Sequence, residues 1–156
     1  MLACSLVATT MCAQAAPMSN NTLTPEEATS GWRLLFDGQT TAGWRGYQKQ
    51  EVPAGWQVVD GALARVGEAG DIITVDQFAD FELALEWKIS PGGNSGIFYR
   101  VTEEGEYGYY SGPEMQVLDD STHPDRRSRL TSAGSAYGLY GAPEGVVRPA
   151  GEWNQV

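Results

Sequence analysis

Residues 81–100 read FELALEWKISPGGNSGIFYR, and their pattern decides the fold. Phe81, Leu83, Leu85, Trp87 and Ile89 alternate with Glu82, Ala84, Glu86 and Lys88. Successive side chains of a strand face opposite sides, so one face packs and the other meets water or a ligand. Pro91-Gly92-Gly93-Asn94 then predicts a turn into a second strand, Ser95 to Val101, that pairs nearby in an antiparallel sheet.

Working outward, the same grammar repeats. Trp32 to Phe36 reads as a strand closed by the Asp37-Gly38 turn. Trp56 to Val59 and Ala62 to Val66 flank Asp60-Gly61, a two-residue hairpin signal. Residues 112–120, GPEMQVLDD, form another strand-like run. Strict alternation sets Glu114, Gln116 and Leu118 on one face and Met115, Val117 and Asp119 on the other; only a bulge would bring Asp119 round to Glu114. Strands joined by turns without intervening helices predict an all-β fold, an antiparallel β-sandwich.

Composition agrees. The 156 residues, 42% hydrophobic, suit one domain, and 19 Gly and 8 Pro supply many turns. Ten basic residues against 20 acidic ones give a formal charge of -10, which repels nucleic acid and anionic lipid surfaces. A neutral sugar or other small molecule is the compatible partner, and oligomeric state is not legible.

Residues 1–16 are apolar and small, lack charged side chains and end near Ala13-Gln14-Ala15, as a secretory leader does. They are too few to span a bilayer as a helix, and the chain is expected to be secreted or periplasmic. Both cysteines, Cys4 and Cys12, lie in this leader, so the mature chain would hold no disulfide. Residues 17–30 read as a polar flexible arm, with the domain occupying 31–156.

The chain offers no nucleophile elbow, phosphate loop or mature Cys, and its single His makes zinc a poor fit. Neither a metal nor a cofactor is expected. Glu114 is the first candidate for acid–base chemistry, because a strand holds a carboxylate rigidly; an exposed or Arg-paired Glu is the plain alternative. Arg100, on the Phe98 face of its strand, is the candidate cation, or else a salt-bridge partner of Glu114 or Glu86. Lys88 is a weaker one. Gln116 could bind hydroxyls or sit in a buried polar network, and Asn94 could bind a ligand or simply make a turn. His123, in the loop after the 112–120 run, suits a proton shuttle; the acidic loop could instead hold calcium or be an ordinary loop. Tyr107, Tyr109 and Tyr110, in a Gly-flanked loop, offer faces for a sugar ring, and so do Trp44 and Trp56 unless they belong to the core.

Five stretches, LFDGQTTAGW (35–44), WQVVDGAL (56–63), the 80–100 run, GPEMQVLDD (112–120) and GEWNQV (151–156), together resemble the 3-keto-disaccharide hydrolase-like domain of exported bacterial proteins. The resemblance implies a concanavalin-like, laminarinase-like jelly roll. It also implies that further C-terminal strands follow GEWN in the family and are missing here. The implied activity is cleavage of a glycoside already oxidised at C3: a base removes the C2 hydrogen, the C1–O bond breaks by β-elimination, and water adds later. On that reading Glu114, Arg100, Asp119 and His123 are catalytic, and Asn94, Gln116, Lys88 and Tyr109 bind substrate. The spacing of Glu114, Gln116 and Asp119 is similar to the Glu-x-Asp-x-x-Glu strand of laminarinase-type enzymes. Gln in the middle and Asp at the end turn the expectation from double displacement toward elimination. A non-catalytic lectin-like module is the alternative use of the same face, and an inert fragment or surface interaction domain is a third.

Overall fold

The computed structural model describes residues 21–156. The leader with Cys4 and Cys12, and arm residues 17–20, lie outside the described residues. Within the remainder of the arm, Pro25–Thr29 forms a short helix, α1, started by a reciprocal cap: Glu27 N–H donates to Thr24 Oγ1 at 3.2 Å and Thr24 N–H to Glu27 Oε2 at 2.7 Å.

Eight short strands follow: β1 (Trp44–Gly46), β2 (Trp56–Val59), β3 (Ala62–Arg65), β4 (Ile72–Thr74), β5 (Glu86–Trp87), β6 (Asn94–Phe98), β7 (Glu114–Leu118) and β8 (Asn154–Gln155). All ladders are antiparallel, pairing β1 with β4, β2 with β3, β5 with β8 and β6 with β7. The fold is an all-β antiparallel sandwich. No helix among the described residues is long and apolar enough to cross a membrane.

The β2–β3 hairpin forms as the sequence predicts: Asp60 and Gly61 take φ values of 50° and 74°, the doubly positive turn that matches strand twist. Residues 32–36 differ from expectation. They form no ladder; side chains hold them instead, with Arg33 paired to Asp76 at 2.6 Å and Trp44 Nε1 donating to the Leu35 carbonyl at 2.6 Å.

The alternating 81–89 run is also shorter than its pattern. Only Glu86–Trp87 ladders, and its partner is β8, with Leu85 and Val156 exchanging the next pair of backbone bonds. Trp87 is buried against Val117, Leu118 and Ala133, with Leu85 and Ile89 packed alongside. Phe81 and Leu83 stay exposed because no described element pairs with or covers their end of the run.

Strand β7 is the centre of the arrangement. One edge ladders with β6 in unbroken register, from Phe98↔Glu114 to Asn94↔Leu118. The other receives the 134–137 segment: Gly134 N–H donates to the Gln116 carbonyl, Gln116 N–H to Ser135, and Tyr137 N–H to Glu114. Central strands of this kind are the most rigid places to hold a side chain.

Candidate active site

Cross-strand partners share a face, so Asn94, Gly96 and Phe98 of β6 lie with Leu118, Gln116 and Glu114 of β7. The Glu114 side chain leans diagonally across the ladder over Gly96. A Cβ built on Gly96 would collide with Glu114 Oε1 and lie 2.7 Å from Cδ and 2.8 Å from Cγ. Glycine in a strand interior weakens it unless something must approach closely, and here the carboxylate does. That interruption between Ser95 and Ile97 is the sequence signal that would have singled out Gly96.

Glu114 is half-buried, and no hydrogen-bond donor or cation partners its carboxylate among the described residues. Burial pushes its pKa above the ordinary Glu value, and the negative charges of Asp71 and Asp125 push it further the same way. Sequence reasoning did not connect Asp71 or Asp125 with Glu114. Asp71 precedes β4 and Asp125 lies in a 3-10 turn, Pro124–Arg127, so both belong to loops whose course no periodicity encodes.

His123 caps that turn. Its Nδ1 accepts Asp125 N–H at 3.3 Å and lies 3.7 Å from Asp125 Oδ2. With Nδ1 accepting, a neutral ring carries its proton on Nε2, leaving that nitrogen as a donor. The histidine expected to shuttle protons thus sits against a carboxylate that acts on Glu114.

Asp119 faces the other way. The one-to-one register runs through Leu118, and Asp119 N–H continues it to the Gly93 carbonyl, so no bulge turns it toward Glu114. Its buried carboxylate accepts Gly92 N–H at 2.7 Å, Ser121 N–H at 2.9 Å and Thr122 Oγ1 at 3.1 Å. These donors, the Gly92 amide foremost, hold its pKa far below the usual carboxylate range. Asp119 therefore ties the Pro91–Gly93 turn to the end of β7 and has no proton to donate.

Gln116 shares the Glu114 face but is only 1% exposed, with Oε1 accepting Val117 N–H at 3.1 Å and Nε2 reaching the Thr131 carbonyl at 3.5 Å. Its amide is spent inside the protein, as in the buried-network alternative. Asn94 is exposed at the start of β6, on the Glu114 face.

Arg100 does not continue the strand. Its φ of 57° breaks the alternation, and its side chain makes one exposed contact at 3.7 Å, to Asp80, instead of pairing with Glu114 or Glu86. Lys88 directly follows β5, outside its ladder, with Nζ 4.7 Å above the Trp153 ring. Neither cation faces Glu114 in a direct ion pair. Tyr109 is exposed and stacked on Tyr107. Trp44 and Trp56 are half-buried, and the indole N–H of Trp56 donates to the Gly70 carbonyl at 2.9 Å.

An apolar cavity of about 340 Å³ runs beneath Phe81, Leu83 and Leu85 to Ile97 and Met115, with Glu114 at its border. Its walls belong to the Ile97–Met115 face, opposite the Glu114 carboxylate over Gly96. The cavity is an open apolar groove on the face of β6 and β7 away from the Glu114 carboxylate. Among the described residues no cluster of three His, Cys, Asp or Glu side chains is arranged to hold a metal ion.

Glu114 is thus a half-buried strand carboxylate on which the charges of Asp71 and Asp125 act, and Asp125 in turn carries His123. Residues 31–156 match the family model of the 3-keto-alpha-glucoside-1,2-lyase-like domain. The chain belongs to this family. A 3-keto-disaccharide hydrolase of Bacteroides thetaiotaomicron is 41% identical over 108 residues, covering 61% of this chain and 37% of that protein. The crystal structure of a candidate glycosyl hydrolase from Parabacteroides distasonis superposes with a TM-score of 0.79 at 36% identity, covering 86% of this chain and 66% of that one. This lyase-like chain thus spans under half the length of the curated relative and about two thirds of the solved one.

Proposed function

We propose that this domain cleaves 3-keto-glycosides by elimination and rehydration, with Glu114 as the base at C2. The observation that carries the reading is the unpaired, half-buried carboxylate over Gly96 with its raised pKa. A base whose proton affinity is raised toward the working pH is both sufficiently ionised and sufficiently basic.

The carbonyl at C3 acidifies the C2 hydrogen. Glu114 takes that proton, and the electron pair enters the enolate. Collapse of the enolate forms the C1–C2 double bond and expels the leaving oxygen from C1. His123, with its Nε2 proton, is the donor we assign to that oxygen. Water then adds across the double bond, its oxygen to C1 and a proton to C2, giving the free 3-keto sugar. Arg100, one strand-end away from Glu114 and held only by its exposed contact to Asp80, is our candidate cation for the C3 oxyanion. Asn94 is the candidate hydroxyl ligand on the same face. The family description names a 1,2-lyase, which supports elimination over direct displacement, and the curated relative's name, a 3-keto-disaccharide hydrolase, supports the 3-keto substrate class.

The leader-like residues 1–16 support an exported protein, and the mass of the mature chain from the culture or periplasm tests that placement. The activity itself is tested by incubating wild type and Glu114→Gln with a 3-keto-disaccharide. The reading expects rapid release of both sugars from wild type and at least about a 100-fold slower release from the variant. Equal rates would remove Glu114 from the chemistry.

A further inference from the structure

The loop from Glu103 to Gly112 carries three tyrosines that the chemistry at Glu114 does not use. Tyr107 and Tyr109 stack with ring centres 5.1 Å apart and planes 9° from parallel, and Tyr110 tilts against Tyr109 at 4.7 Å. They remain 42%, 53% and 66% exposed, respectively. Isolated surface aromatics need no explanation, but three contiguous rings on one turn do.

The loop is held in place before any ligand arrives. Arg45 forks onto Glu103 at 2.7 and 2.5 Å, and Gln48 N–H donates to the same carboxylate at 2.6 Å. The Tyr47 hydroxyl, the Gln48 amide and the Ser111 hydroxyl pin backbone atoms of Thr102, Glu103 and Gly105. The turn that bears the rings lies in the connection from β6 to β7, which ends where Glu114 opens β7.

Resting on the proposed function, we infer that Tyr109 and Tyr110 form a stacking platform for the leaving-group sugar of the substrate. Pyranose rings present a C–H face to an aromatic ring and hydroxyls at their rim, and a tyrosine offers both a π face and a hydroxyl. A rigid loop loses little entropy on binding, which suits a weak, stacking-led contact. The acidic surroundings disfavour an anionic ligand. Tyr107 covers one face of Tyr109, and Tyr110, tilted 56° to the Tyr109 ring, is the most exposed of the three, so the platform is a tilted pair of rings.

The test titrates the full chain with maltose, cellobiose and trehalose, and with glucose, by isothermal calorimetry, for wild type, Tyr109→Ala, Tyr110→Ala and Tyr110→Phe. At least one disaccharide should saturate wild type, and either alanine variant should weaken it about 10-fold, with Phe retaining most of the affinity. Undiminished affinity in both alanine variants, or no saturation of wild type by any disaccharide, overturns the platform. So does sedimentation showing a wild-type dimer that Tyr110→Ala dissociates without change in sugar affinity. If the platform binds but Glu114→Gln still turns over 3-keto substrate, the reading of Glu114 fails and the platform stands; the reverse pattern separates them the other way.

Discussion

The Glu114 carboxylate occupies the space that a side chain on Gly96 would fill. Two residues on neighbouring strands, offset diagonally across one ladder, thus share a single volume. The glycine gives up strand stability so that the acid can lie flat over the sheet instead of extending into water.

Replacing Gly96 with Ala forces the carboxylate to move. The clash is with the end of a flexible side chain, and Ala favours a strand over Gly, so stability should change by less than about 1 kcal/mol. Displacement of the base by an ångström or so should lower kcat/KM about 100-fold. Full activity in Gly96→Ala would show that the observed carboxylate position is not the working one.

Glu114→Gln should stabilise the protein at neutral pH. The folded-state pKa of Glu114 is raised above its ordinary value of 4.5, chiefly by burial and then by Asp71 and Asp125. Wild type is therefore favoured below the ordinary value and loses stability as pH rises through the raised one. Gln never ionises and escapes that loss. Melting curves should place the variant above wild type at pH 7, with the difference disappearing near pH 4; a lower variant Tm at pH 7 would contradict the unpaired-carboxylate description.

Asp119→Asn separates architecture from catalysis. The carboxylate accepts from Gly92, Ser121 and Thr122, and an amide cannot serve all three. The Asp119 pKa is depressed, so its contribution is present above the ordinary Asp value of 3.8 and is lost only in strong acid. The variant should melt several degrees lower at pH 7 yet keep its kcat at 25 °C. Loss of kcat with an unchanged Tm would return Asp119 to the chemistry.

The Glu103 clamp has its own acid signature. Arg45, and then the Gln48 amide, hold Glu103 down to a pKa of about 2, against an ordinary 4.5. The loop should stay clamped at neutral pH and loosen as pH falls between those values. Limited proteolysis within residues 103–112 should accelerate in that window for wild type and at all pH values for Glu103→Gln. Equal protection of the variant at pH 7 would argue that Tyr47 and Gln48 suffice.

Much of this was legible in the chain, for reasons that differ by residue. Asp60-Gly61 encodes its turn locally through backbone φ, and the prediction matches the hairpin. The 112–120 alternation set Glu114 and Gln116 on one face and Asp119 on the other but left open the bulge that the catalytic reading of Asp119 required, and the unbroken register with β6 shows none. Residues 32–36 and 81–84 carry strand-like patterns without ladders, since pattern reports which face is apolar, not whether a neighbour exists to pair with. Arg100 left its expected face through one left-handed residue, which a non-glycine side chain gives no warning of. The charges of Asp71 and Asp125 act on Glu114 from loops whose course the strand pattern does not encode.

The most direct test of the central claim is the fate of the hydrogen on C2. When a 3-keto-disaccharide is cleaved in deuterium oxide, elimination followed by hydration places one solvent deuteron on C2 of the released keto sugar. We predict about one deuteron per turnover at that carbon with wild type, and a rate of incorporation at least about 100-fold lower with Glu114→Gln. Cleavage that leaves the C2 hydrogen in place would mean displacement at C1, and would contradict Glu114 as a base at C2.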